Sequence, residues 1–275
     1  MSGGFMLTNI IEMFSYAFIA RAFIAGLAIS ICAALLGTNL VLRKQSMISD
    51  GLSHVAFGAT IVALALGFAP LEFTIPVVII ASYLILQINN RRNINADAAI
   101  AILSASALAI GIIVNSLIKG VNIDINSYLF GSILAISTHD LVITLVATVI
   151  IFALYIIFYR QIFAITLDET FAKAIGIKTK LYNAILAALC SVIIVLGMRM
   201  LGALLISSLI IFPCLSAIRL THSFKTTAIV SVILSIICFI FGIFASYFYN
   251  LPTGATIVIA NLICFLLSVI YNKFR

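Results

Sequence analysis

The chain has 275 residues, 64% of them hydrophobic and 8% charged, with a formal charge of +7 and a mean hydropathy of +1.32. Too little polar surface remains to coat a water-soluble globule, so the sequence reads as an integral membrane protein. Its basic residues are dispersed among short loops, which argues against a nucleic-acid-binding face and makes the positive excess a signal of membrane orientation.

In chain order, the first fifteen residues are weakly polar and lack a basic run, so a cleaved signal peptide is not expected. Apolar stretches near the ~20 residues that a helix needs to cross hydrocarbon follow at about 16–42, 53–68, 71–88, 97–118, 140–159, 182–198, 201–218, 226–249 and 255–271. The ten-residue alternation of an outer-membrane barrel is absent. The expected fold is all-α, a polytopic membrane helical bundle of about eight or nine transmembrane helices. The second stretch is short; it and residues 121–137 suit a bent, interfacial or re-entrant path. With nine spans and the N-terminus outside, the inner segments collect Arg43, Lys44, Arg91, Arg92, Arg160, Lys173, Lys178, Lys180, Arg219, Lys225, Lys273 and Arg275, leaving Arg21, Lys119 and Arg199 outside. That asymmetry predicts N-out, C-in.

The run MISDGLSHVAFGAT, residues 47–60, holds the best clue to chemistry. Positions i and i+4 share one face of a helix, so Asp50 and His54 can aim a carboxylate and an imidazole at the same small volume. Together they supply half of a tetrahedral metal site, and ionisable groups at membrane depth are a functional hypothesis by default. An equally physical alternative has Asp50 capping a helix start near the headgroups, with His54 bonded to nearby backbone. Gly51 and Gly58, one heptad apart, permit close helix approach on either reading.

The loop TLDETFAKAIGIKTK carries a Thr166–Glu169 pair with capping-box spacing, Asp168 adding negative charge at a helix start, and Gly176 suited to a C-terminal cap. A helix of about ten residues there is marginal alone and needs support from a partner or the membrane surface; an ordinary amphipathic connector fits as well. Cys32, Cys190, Cys214, Cys238 and Cys264 all fall in apolar spans without CxxC spacing, as buried small hydrophobes do. His139 and His222 sit at loop edges and receive no role. There is no P-loop, no HExxH and no GxSxG, so no catalytic constellation is visible and the chain is not read as an enzyme.

Four segments in order, GTNLVLRKQSMISDGLSHVAFGA, LDETFAKAIGI, MLGALLISSLIIFPCLSA and NLPTGATIVIA, resemble the membrane permeases of bacterial ABC transporters that import zinc, manganese or iron, and most of all the zinc-uptake permeases. The resemblance spans nearly the whole chain. It implies the type II ABC importer permease fold, a single transmembrane permease domain over 1–275 with a cytoplasmic coupling loop at about 160–181, and residence in the bacterial inner membrane. The implied partners are a cytoplasmic ATP-binding subunit, an extracytoplasmic metal-binding protein and a second copy of the permease. No cofactor is expected to stay bound, and the cargo is a divalent ion passed by alternating access.

Carried onto this sequence, the resemblance makes Asp50 and His54 the intramembrane metal pair, and Leu167, Asp168, Glu169, Phe171, Ala172, Ala174 and Gly176 the ATPase-coupling residues. One Asp and one His from each of two chains complete a four-ligand N/O set, which leans toward zinc. The chain departs from the pattern at Asn250, where many relatives are expected to carry an acidic residue before the Leu-Pro-x-Gly turn, so Asn250 is left out of the site. The rival function is a self-sufficient ion-coupled secondary transporter or channel using Asp50 and His54 as a proton relay, with helices broken near Leu251-Pro252-Thr253-Gly254.

Overall fold

The computed structural model describes residues 15–89, 96–117, 131 and 137–274. It is all helix among these residues: α1 (Ala17–Leu42), α2 (Met47–Ala65), α3 (Pro70–Asn89), α4 (Ala96–Leu117), α5 (Thr138–Ile157), α6 (Tyr159–Leu167), α7 (Glu169–Ala174), α8 (Thr179–Leu201), α9 (Ala203–Leu220), α10 (Phe224–Tyr249) and α11 (Thr253–Phe274). Nine of the described helices are long and apolar enough to cross a membrane; only α6 and α7 are too short. The upper of the two expected counts therefore holds for the described residues. Most of 121–137, along with Arg91, Arg92, Lys119 and Arg275, lies outside them.

Helices α8 and α9 pack on each other and on both α1 and α2 at the centre, α10 and α11 close one side on α1 and α9, α5 lies on α1, and α4 leans chiefly on α2. The second span begins six residues earlier than the sequence suggested, at Met47 instead of 53. Its serines do not break the helix because each bonds backward along it: Ser49 and Ser53 donate to the carbonyls of Ser46 and Asp50 at 2.8 and 2.7 Å. As a consequence Asp50 and His54 both stand on α2, the most enclosed of the nine spans.

The α2–α4 contact is made by small residues. A Cβ at Gly58 would collide with the carbonyl oxygen of Ala107, and one at Gly51 with the Ile100 side chain, so the missing side chains set the helix separation. Elsewhere hydroxyls join helices where hydrophobic driving force between them is weak: Thr60 meets Thr74 at 3.1 Å, and Ser235 of α10 donates to the Ser30 carbonyl of α1 at 3.1 Å. Helices α8 and α9 are separated by Gly202 alone, which reverses the chain at φ +96°, a conformation closed to ordinary side chains. Cys32, Cys190, Cys214 and Cys238 are free and buried, and Cys264 is free and half-buried, in keeping with a packing role.

Charge separates to the two ends of the bundle. Arg199, in the last turn of α8, pairs with Asp140 at 3.2 Å, and Arg21 donates to Thr138 at 3.0 Å, both at the start of α5. Arg43 lies beyond the far end of α1, about 39 Å along a helix of 26 residues.

Candidate functional site

On α2, the Nε2 of His54 stands 3.9 Å from Oδ2 of Asp50. That gap is too long for a hydrogen bond, yet it is within the reach of a bridging ion: two bonds of about 2.1 Å span at most about 4.2 Å. The carboxylate is 43% exposed and the imidazole 22%, while the other ring nitrogen, Nδ1, is buried without a hydrogen-bond partner. The capping alternative is not what α2 uses, because its N-terminus at Ser46 has no side-chain cap. Among the described residues no three His, Cys, Asp or Glu side chains gather to hold a metal. The pair therefore stands alone among the described residues, without a third such side chain beside it.

The loop between α5 and α8 differs from its expected form. In place of one helix of about ten residues there are two short ones, broken at Asp168, whose backbone is extended (φ −151°, ψ 104°). The cap of α7 is Asp168 and not Thr166: its carboxylate accepts from the N–H groups of Thr170 and Phe171 at 2.8 and 3.0 Å. Thr166 is still inside α6, buried, and its hydroxyl donates to Oδ1 of Asn39 at 3.0 Å. Glu169 does not complete a capping box. It takes Lys173 at 2.8 Å on one side and Arg43, from the end of α1, at 3.1 Å on the other.

At the far end of α7, Gly176 adopts φ +85°. Its N–H donates to the Lys173 carbonyl at 3.1 Å, and the Ile177 N–H to Ala172 at 3.0 Å, the paired bonds of a Schellman cap. Ala172 is buried against the bundle, whereas Ala174 is exposed. Leu167, Phe171 and Ile175 stand out from it, more than half exposed, at spacings of four. A six-residue helix has little stability of its own; the anchors at Ala172 and Glu169 order it, and its apolar residues face outward.

Arg43 and Asn183 are the residues that sequence reasoning missed at this locus. Arg43 donates to Asn183 at 2.8 Å as well as to Glu169, and its only visible signal was its place at the end of the first span. The Glu169 carboxyl, despite burial that pushes its pKa up, is held below the usual glutamate range by Lys173, Arg43 and Asn183. Asn250 caps α10 in the left-handed region (φ 51°, ψ 41°), a conformation asparagine tolerates, so the turn itself accounts for the residue.

Nine described helices long enough to cross a membrane, with an ionisable pair on the most enclosed of them and a capped connector anchored at one end, make a multi-pass membrane helical bundle. A solved chain of PsaBC from Streptococcus pneumoniae, in complex with a Fab, matches it with TM-score 0.86 and 29% identity, over 96% of this chain and 95% of that one. The fold is that of a type II ABC importer permease, a subunit that works beside a separate ATPase chain. The chain belongs to the ABC 3 transport family, whose model matches residues 15–272. It is similar to the manganese import system permease protein ScaB of Streptococcus gordonii, at 30% identity over 91% of this chain and 90% of that protein. It is also similar to the high-affinity zinc uptake system membrane protein ZnuB of Haemophilus influenzae, at 29% identity over 90% and 95%.

Proposed function

We propose that the protein is the permease of a divalent-metal ABC importer in the bacterial inner membrane, and that Asp50 and His54 bind the ion in transit. The observation that carries the reading is the 3.9 Å separation of the two donors on an enclosed helix. Carboxylate and imidazole suit zinc or manganese and suit copper(I) poorly. A second copy of the chain supplies another Asp50–His54 pair, making the four N/O donors that zinc favours. Named relatives carry manganese and zinc at almost equal identity, so zinc rests on the donor set.

Residues 1–275 act as one permease domain, oriented N-out and C-in, with the loop at 160–181 docking on the ATPase through Leu167, Phe171 and their neighbours. A binding protein delivers the ion outside, and ATP-driven motion of the loop switches access from one side to the other. No cofactor stays bound; the metal is cargo.

The test is uptake by vesicles reconstituted with the permease, its ATPase and the binding protein, with zinc and manganese in competition. ATP-dependent zinc uptake that fails in Asp50→Ala and His54→Ala supports the whole reading. Manganese outcompeting zinc overturns the metal, and uptake by the permease alone, driven by a proton gradient, overturns the importer in favour of a proton relay.

A further inference from the structure

At the end of the bundle that holds α7, a cleft of about 570 Å³ opens between α3, α7 and the start of α8. Three cations line it, Arg43, Lys173 and Lys180, against a single carboxylate, Glu169. Arg43 and Lys173 already share that carboxylate at 3.1 and 2.8 Å. Lys180, exposed in the first turn of α8, has no acidic partner among the described residues. The cleft thus keeps a positive excess, and the amides of Gln45 and Gln87 add neutral donors around it.

The opposite wall has another character. Tyr83 and Leu86 of α3 line the cleft, and Ile80 and Leu84 are exposed on the same helix, on the way into the apolar span. Tyr83 is half exposed, and tyrosine, with an apolar ring and a polar hydroxyl, is enriched at membrane interfaces. Cations at the floor and an apolar flank beside them match a ligand with a charged head and a hydrocarbon tail. Basic pockets between transmembrane helices hold lipid head groups by this combination.

We infer that this cleft binds a phosphate-bearing anion, supplied by the headgroup of an anionic phospholipid in the leaflet on the α7 side. Lys180 and Lys173 act as point charges on the phosphate oxygens, while the acyl chains lie along the exposed face of α3. A soluble phosphate would use the same cations and leave the α3 flank without a role. The inference is independent of which ion the permease carries.

The test uses the intact transporter complex in detergent, with dioleoylphosphatidylglycerol, dioleoylphosphatidylcholine, glycerol phosphate or inorganic phosphate added singly. Lipid retained by each complex is counted by native mass spectrometry, and the thermal midpoint is read in parallel. The wild type retains phosphatidylglycerol in preference to phosphatidylcholine. Lys180→Gln weakens that retention about fivefold, the effect of one interfacial cation. Lys180→Arg restores it, and Lys225→Gln, at an exposed lysine of α10 away from the cleft, leaves it unchanged. A midpoint raised by glycerol phosphate or inorganic phosphate through Lys180, without preferential lipid retention, keeps the phosphate site and overturns the lipid source. Equal retention of both lipids with no response to either soluble anion, or full phosphatidylglycerol retention in Lys180→Gln, overturns the site.

Discussion

Arg43, at the end of the first transmembrane helix, reaches 3.1 Å to Glu169, the first residue of the short α7 helix, across 126 positions of sequence. The Arg43 side chain is only 11% exposed, and its guanidinium also donates to Asn183 near the start of α8. One side chain thereby fixes the exposed connector to two membrane helices. Asn183 also donates to Glu169, at 3.4 Å, so the three side chains join the ends of α1, α7 and α8.

Glu169→Gln removes the acceptor charge and leaves Arg43 nearly buried without a counter-ion, at a cost of about 2 kcal/mol on the scale of charge-assisted hydrogen bonds. Transport should fall while metal binding persists, with weaker co-purification of the ATPase. Metal binding lost before coupling would show that the joint serves the ion site instead.

The same joint depends on pH with a definite sign. Because the Glu169 carboxyl is held below the usual glutamate range, its contribution is complete above that range and disappears as pH falls through the lower folded value. Protection factors of the α7 amides, their exchange rates divided into the intrinsic rate at each pH, should fall on acidification across that window in the wild type. Glu169→Gln should show low protection throughout with the step removed; an unchanged step assigns it to another group.

In the proposed site, Asp50→Ala and His54→Ala each leave too few donors for an ion. Metal affinity should drop by at least tenfold, on the order of what even an outer-shell partner costs, while the thermal midpoint of the complex stays near that of the wild type. Direct metal binding by calorimetry, at matched protein concentration, measures this. Wild-type affinity in both variants would remove the pair from the pathway.

Gly176→Val forces a β-branched side chain into φ +85° and should disturb the Schellman bonds of Gly176 and Ile177 at a cost of about 1 kcal/mol. Open space surrounds the position, so the effect comes from the backbone and should stay local to α7. Limited proteolysis of the loop beside the global melting midpoint separates the two.

Gly58→Val should behave in the opposite way. Its Cβ meets the Ala107 carbonyl of α4, so the helices must separate, a change of about 1–3 kcal/mol for an overpacked contact. Thermal unfolding of the purified complex should show a lower midpoint, with α4 released first because α2 is its main support.

Much of this molecule follows from local pattern. Apart from the start of α2, the membrane helices begin and end within about three residues of the apolar stretches, because a hydrocarbon solvent demands long apolar helices whatever their neighbours. Asp50 and His54 share a face because helical periodicity places i beside i+4. Gly176 ends α7 for a reason contained in its own backbone.

What the tertiary structure decided lies in pairs distant along the chain. The Thr-x-x-Glu spacing suggested a capping box, but Thr166 is drawn to Asn39 and Glu169 to Arg43, so Asp168 takes the cap. A local motif specifies a set of compatible bonds, and burial against α1 selects among them, since a buried hydroxyl or charge must find its partner wherever the fold brings one. For the same reason Arg43 read in sequence as a charge at a membrane end. Only the packing of α1, α7 and α8 makes it the joint of the connector.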